Sequence, residues 1–110
     1  MSTDLKQFYQ VFFEEAAELL ADMETRLLGL DVSSPGAEDL NAIFRAAHSI
    51  KGGAGFLGLD TIKELAHMIE NVLDMVRNYQ MKPSPEVVNT VLVAFDFLGE
   101  LLNDAAHSNG

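Results

Sequence analysis

The stretch FRAAHSIKGGAGFLG, Phe44–Gly58, carries a contradiction whose resolution decides the fold. Ala47, Ile50, Ala54 and Leu57 recur three and four apart, the spacing of a helix that buries one face. Yet Gly52, Gly53 and Gly55 fall inside that helix, and Gly58 falls at its end. Each internal glycine costs about 1 kcal/mol relative to alanine. The apolar spacing reaches back through Ile43 and Leu40 and outweighs the glycines. It predicts a helix over about 37–57, closed by Gly58.

The same period governs nearly all of the chain. A first helix is expected over about 4–28, with Phe8, Phe12, Phe13, Ala16, Leu20, Met23 and Leu27 as its stripe. GLDVSSPGAED then breaks the pattern with glycine, serine and proline. A third helix is expected over about 60–78, with Ile62, Leu65, Ala66, Ile69, Leu73 and Val76 facing inward. Its start is read in two ways: Asp60 as the cap, or Thr61 with Glu64 as a capping box. A fourth spans about 85–105, where Ser84 caps, Pro85 takes the first helical position and Glu86 suits the dipole. Val88, Val91, Leu92, Phe95, Leu98 and Leu102 form its inner face. No segment alternates as a strand would. Long helices joined by short connections predict one all-α domain over residues 1–106, an up-down-up-down antiparallel four-helix bundle. Residues 107–110, including His107, read as a frayed tail.

Charge and composition exclude several functions. Asp and Glu number 17 against 7 Lys and Arg, a net charge of −10. Such a surface repels phosphate backbones and anionic lipid, which argues against nucleic-acid or membrane binding. No apolar run is long enough to span a membrane, and MSTDLKQFYQ does not read as a signal peptide. With no cysteine there are no thiolate sites. These features fit the cytoplasm. The methionines read as core filler.

His48 is the candidate for chemistry. Each residue advances about 100° around a helix, so His48 flanks the buried stripe and its ring is partly exposed. Lys51, Gly52 and Gly55 follow on the same side, and the small residues leave the surface open to another protein's backbone. Gly53 lies off the histidine face and is read as a packing position. On the third helix, Glu70 flanks its stripe by the same angle. If the two helices lie side by side, Glu70 can accept a hydrogen bond from one ring nitrogen of His48. The other nitrogen is then an outward nucleophile. Lys51 can neutralise a phosphoryl group arriving there. Arg45 and Ser49 are candidates for partner contact. Phe44 is read as core, and Phe56 as an exposed docking contact or core.

AAHSIKGGAGFLG resembles the motif of histidine-containing phosphotransfer (HPt) domains, and more narrowly those at the N-terminus of CheA-type chemotaxis kinases. LAHMIENVLDMVRN and PSPEVVNTVLVAFDFLGELL extend the resemblance over nearly the whole chain. The resemblance implies that His48 is phosphorylated on Nε2 by an ATP-bound kinase domain. It implies that Glu70 holds Nδ1, and that Lys51 and His67 line the site. The phosphoryl group then passes to an aspartate of a CheY-like or CheB-like receiver. ATP and Mg²⁺ come from those partners, and no cofactor or metal site is expected in the chain itself. His67 is alternatively a solvated residue. The fifth helix usual in that family is missing or truncated. The chain is read as an excised domain, with a free-standing monomeric HPt protein or a receiver-docking bundle as alternatives.

Four-helix bundles also build di-iron sites from paired Glu-x-x-His motifs. ELAH, Glu64–His67, matches once. DAAH, Asp104–His107, substitutes aspartate, and the first helix offers apolar residues where glutamate is required. That reading is remote.

Overall fold

The computed structural model describes residues 3–109. Four helices make up the fold: α1 (Thr3–Leu28), α2 (Ala37–Phe56), α3 (Asp60–Arg77) and α4 (Pro85–Asn109). Consecutive helices pack antiparallel, and α4 returns to α1, so each helix touches two neighbours. The bundle measures 49 × 20 × 19 Å. Its core is the predicted stripes brought together. Ala16, Met23, Ile43, Ala47, Ile50, Ala54, Ala66, Phe95 and Leu98 are almost completely buried.

The α2–α3 contact is the most extensive. Buried Ala46, Ala47 and Ala54 on α2 face Ala66 on α3 within one core, and small side chains let helices approach closely. The turn between them is short because Gly58, at φ 74°, closes α2 in the left-handed conformation. The N–H of Leu59 bonds to Ala54 O at 2.8 Å and that of Gly58 to Gly55 O at 3.3 Å, the paired bonds of a Schellman motif. With Leu59 committed to closing α2, α3 begins at once. Leu59 is its N-cap, without a side-chain bond. This corrects both sequence readings of that start: Asp60 is already helical, and no Thr61–Glu64 box forms.

Ser84 does cap α4, its Oγ accepting from the Val87 N–H at 3.2 Å. α4 continues to Asn109, beyond the expected end near 105 and through the segment read as a frayed tail; Gly110 lies outside the described residues. Phe8 departs from its expected inward place. It is 56% exposed and meets the likewise exposed Phe56 edge-on, ring centroids 6.0 Å apart. At the end of α3, Tyr79 takes φ 61° to close another Schellman turn, with Gln80 N–H on Met75 O at 2.8 Å.

The glycines of α2 divide by environment. A Cβ on Gly53 would lie 2.6 Å from a ring carbon of Phe12 on α1, so glycine is what lets that ring seat. A Cβ on Gly52 would meet nothing within 4 Å. We therefore expect Gly53→Ala to destabilise the bundle by about 1–3 kcal/mol through overpacking. Gly52→Ala should stabilise it by up to about 1 kcal/mol through helix propensity. Urea denaturation of the two variants checks the contrast.

Candidate functional site

His48 stands on the edge of α2 facing α3, its side chain 63% exposed. Glu70 stands on the facing edge of α3, and its carboxylate is buried, the residue being only 6% exposed. His48 Nδ1–H donates to Glu70 Oε2 at 2.5 Å. Lys51, one turn after His48, donates from Nζ to Glu70 Oε1 at 2.7 Å. One carboxylate thus ties together two residues from the same face of α2, and each oxygen has its own donor. No buried side-chain polar atom among the described residues is left unpaired.

Sequence reasoning placed Glu70 correctly on the flank but not its depth. A lone buried carboxylate is strongly disfavoured. Here burial does push the carboxyl up, but the hydrogen bonds from Lys51 and then His48 outweigh it and hold Glu70 below its ordinary range. A carboxylate held low is a weak base. It orients the ring and leaves the proton on Nδ1, as the buried aspartate does for histidine in hydrolytic triads. The lone pair of Nε2 then points away from Glu70, toward the exposed side.

Lys51, read as the charge that meets a phosphoryl group, is held within the site. It is three-quarters buried and anchored on Glu70. An ammonium has three protons, so the contact leaves donors for an anion arriving beside the ring. His67 is exposed, and no hydrogen bond or ion pair joins it to the other three. Arg45, Ser49, Gly52 and Gly55 are all exposed around His48. Glu64 and His67 both face solvent, so ELAH is not aimed into the bundle as a di-iron site requires.

Two neighbours escaped the sequence reading. Phe44, taken for core, is half-buried and stacks on the His48 imidazole at 6.4 Å between centroids, with 11° between planes. Arg77 lies over Phe44, its guanidinium carbon 4.0 Å from the ring centroid. The i to i+4 spacing of Phe44 and His48 was visible as a signal; the reach of Arg77 from another helix was not. On the α1 side, a groove of about 210 Å³ opens between α1 and α2, lined by Phe8, Val11, Phe12, Leu19, Phe56 and Ser49 among others. Ser49 makes this groove adjoin His48.

The site is thus a surface histidine held by a buried carboxylate at the edge of a four-helix bundle. The family model of the Hpt domain matches residues 7–107. The chain belongs to the Hpt domain family. It is 52% identical over 103 residues to chemotaxis protein CheA of Klebsiella aerogenes, covering 94% of this chain and 16% of that protein. It therefore spans about one-sixth of the length of the curated relatives it matches. The phosphorylated P1 domain of CheA3, crystallised in complex with CheY6 from R. sphaeroides, superposes with a TM-score of 0.86 at 30% identity, covering 96% of this chain and 82% of that one. The CheA phosphotransferase domain of Thermotoga maritima gives a TM-score of 0.84 at 28% identity, covering 96% and 98%.

The Glu70 pairing has a consequence for acid stability. A carboxyl lowered on folding stabilises the native state above its unfolded value, and that contribution is lost as pH falls through the folded value. The ordinary value is 4.5. The His48–Glu70–Lys51 contribution should therefore be intact above about pH 5 and decline below about 4.5. Denaturation of the chain and its Glu70→Gln variant across pH 3–7 tests this: the stability gap between them should narrow on the acid side.

Proposed function

We propose that this chain carries a phosphoryl group in a CheA-type two-component chemotaxis pathway, with His48 as acceptor and donor. The observation that supports this most directly is the exposed His48 ring whose Nδ1–H is held by the buried Glu70 carboxylate. In the first step Nε2 attacks the γ-phosphorus of ATP bound to a separate kinase domain. An N–P bond forms, the P–O bond to ADP breaks, and ADP leaves with the bonding electrons. Positive charge develops on the ring, and Glu70 stabilises it through the Nδ1–H bond. In the second step a receiver aspartate oxygen attacks the same phosphorus, and the N–P bond breaks with its electrons returning to Nε2. Neither step adds or removes the Nδ1 proton.

The partners bring the rest. The kinase domain supplies ATP and Mg²⁺, and the receiver supplies its own Mg²⁺. The receivers are CheY-like and CheB-like. Lys51 offsets phosphoryl charge. His67, exposed and outside the hydrogen-bonded group, assists from α3. Exposed Arg45, Ser49, Gly52 and Gly55 border the ring, and the apolar α1–α2 groove beside Ser49 supplies a docking face. No helix among the described residues is long and apolar enough to cross a membrane, in keeping with a carrier acting in the cytoplasm.

Incubation with a CheA catalytic fragment, ATP and Mg²⁺, followed by site mapping, tests the assignment. Label should appear on His48, acid-labile and alkali-stable, and His48→Gln should carry none. Glu70→Gln should slow labelling by roughly tenfold to a hundredfold, because the amide no longer favours the cationic ring. Label on another residue, or undiminished label in His48→Gln, overturns it.

Docking at the groove has its own test. Phe8 and Phe56 are 56% and 75% exposed, so replacing them with serine should leave urea stability nearly unchanged. Transfer from phosphorylated domain to a CheY-like receiver should slow through a weaker saturation constant.

A further inference from the structure

We propose that Phe44, clamped by Arg77, is a positioning residue that sets the plane of the His48 ring; this rests on the reading of His48 as the phosphoacceptor. The hydrogen bond from Nδ1 to Glu70 fixes one point of the imidazole. The ring also turns on its Cβ–Cγ bond, and a hydrogen bond tolerates tens of degrees of misalignment, so the ring can still swing through a range about that bond. The nucleophilic lone pair on Nε2 lies in the ring plane, so such a swing misdirects it and also weakens the Glu70 bond that favours the Nδ1–H tautomer. In-line attack on phosphorus is sensitive to such errors.

A second constraint is supplied one turn before His48. Phe44 presents a near-parallel ring at 6.4 Å and 11°, within the range of offset aromatic stacking. Phe44 is itself held. The Arg77 guanidinium covers it at 4.0 Å, the approach of a cation–π pair. Arg77 is fixed in turn by two bonds: Nη1 donates to Asn41 Oδ1 at 3.1 Å and Nη2 to Asp74 Oδ1 at 2.7 Å. Asn41 lies on α2 and Asp74 on α3. Arg77 therefore bridges the same two helices as Glu70. The imidazole is braced at its edge by the Glu70 carboxylate and along its plane by Phe44, whose own ring is covered by a pinned guanidinium.

A purely structural Phe44 would need only apolar volume, which leucine supplies. A positioning Phe44 needs a flat ring, which leucine lacks and tyrosine keeps. The test compares Phe44→Leu, Phe44→Tyr and Arg77→Lys in the ¹⁵N-labelled chain. The first readout is the ring ¹⁵N shifts of unphosphorylated His48, which report the tautomer and need no partner. The second is the rate of phosphorylation by phosphoramidate, where Nε2 forms the N–P bond and ammonia leaves. The third is kcat against KM with the kinase fragment.

Phe44→Leu should mix the second tautomer into the spectrum and slow phosphoramidate labelling by roughly tenfold. With the kinase it should lower kcat and leave KM unchanged. Phe44→Tyr should restore both, and Arg77→Lys should show a smaller loss of the same kind. Wild-type tautomer and rate in Phe44→Leu overturn the proposal. So does a defect that Phe44→Tyr fails to rescue, or one confined to KM. If phosphoramidate labels no histidine even in the unaltered chain, the phosphoacceptor reading fails, and the ring shifts still decide whether Phe44 orients His48.

Discussion

The structure turns on one buried carboxylate. Glu70 is the sole charged residue among those buried in the described chain, and removing an ion from water costs several kcal/mol unless its partners are well placed. Both partners come from α2. His48 and Lys51 are three residues apart, so they project from the same side of that helix, and each takes one oxygen of Glu70. The arrangement admits one rotation and one register of α2 against α3. Turning α2 by one residue would move His48 by about 100° and strand the carboxylate. The apolar seam demands the same rotation, since Ala47, Ile50 and Ala54 must face Ala66 and Ile69 in the core. Packing and electrostatics agree on one geometry, the kind of consistency that specifies a single native state.

That agreement also explains how His48 can be both exposed and controlled. On the proposed function His48 must stay open to two partners, yet an exposed imidazole samples orientations and tautomers freely. Here the control comes from below. The ring lies at the surface, while the group that orders it lies beneath, shielded from water and neutralised by Lys51. The pull of Lys51 on Glu70 weakens the carboxylate as a base, so the Nδ1 proton stays on the ring. On the proposed function this bears on reversibility: a ring that kept its proton but lost the bond would be harder to phosphorylate, and one that lost the proton to Glu70 would release the phosphoryl group less readily.

Much of this was legible in the sequence because it depends on periodicity. The stripes of α1, α2, α3 and α4 gave the four helices and put His48 and Glu70 on matching flanks. What stayed hidden depends on distance between elements. The burial of Glu70 follows from the close approach of α2 and α3, which small residues permit but no spacing announces. Phe44 was assigned to the core and does pack against it, but its cover, Arg77 from the far end of α3, was not visible. Phe8 fitted the α1 stripe, yet it lies near that helix's N-terminal end, where the described structure offers it Phe56 rather than a closed core. Asp60 and Thr61 are good caps by type. They were displaced because Leu59 already closes α2, a competition visible only when the two helix ends are seen as one turn.

The glycines of Phe44–Gly58 then have separate causes that happen to share a segment. Gly58 takes the positive φ that ends α2 and sends the chain straight into α3. Gly53 admits the Phe12 ring and so seats α1. A Cβ at Gly52 would meet nothing within 4 Å. Its direction lies roughly 40° from that of His48 on the helix wheel, one turn below the ring. Folding has no use for a glycine there, and its lower helix propensity is a net loss to the isolated domain. On the proposed function the compensation lies in what approaches His48: a side chain at that position would crowd an incoming backbone, and phosphoryl transfer between two proteins requires a close approach. The residue least useful to the fold then has its use in that proposed contact.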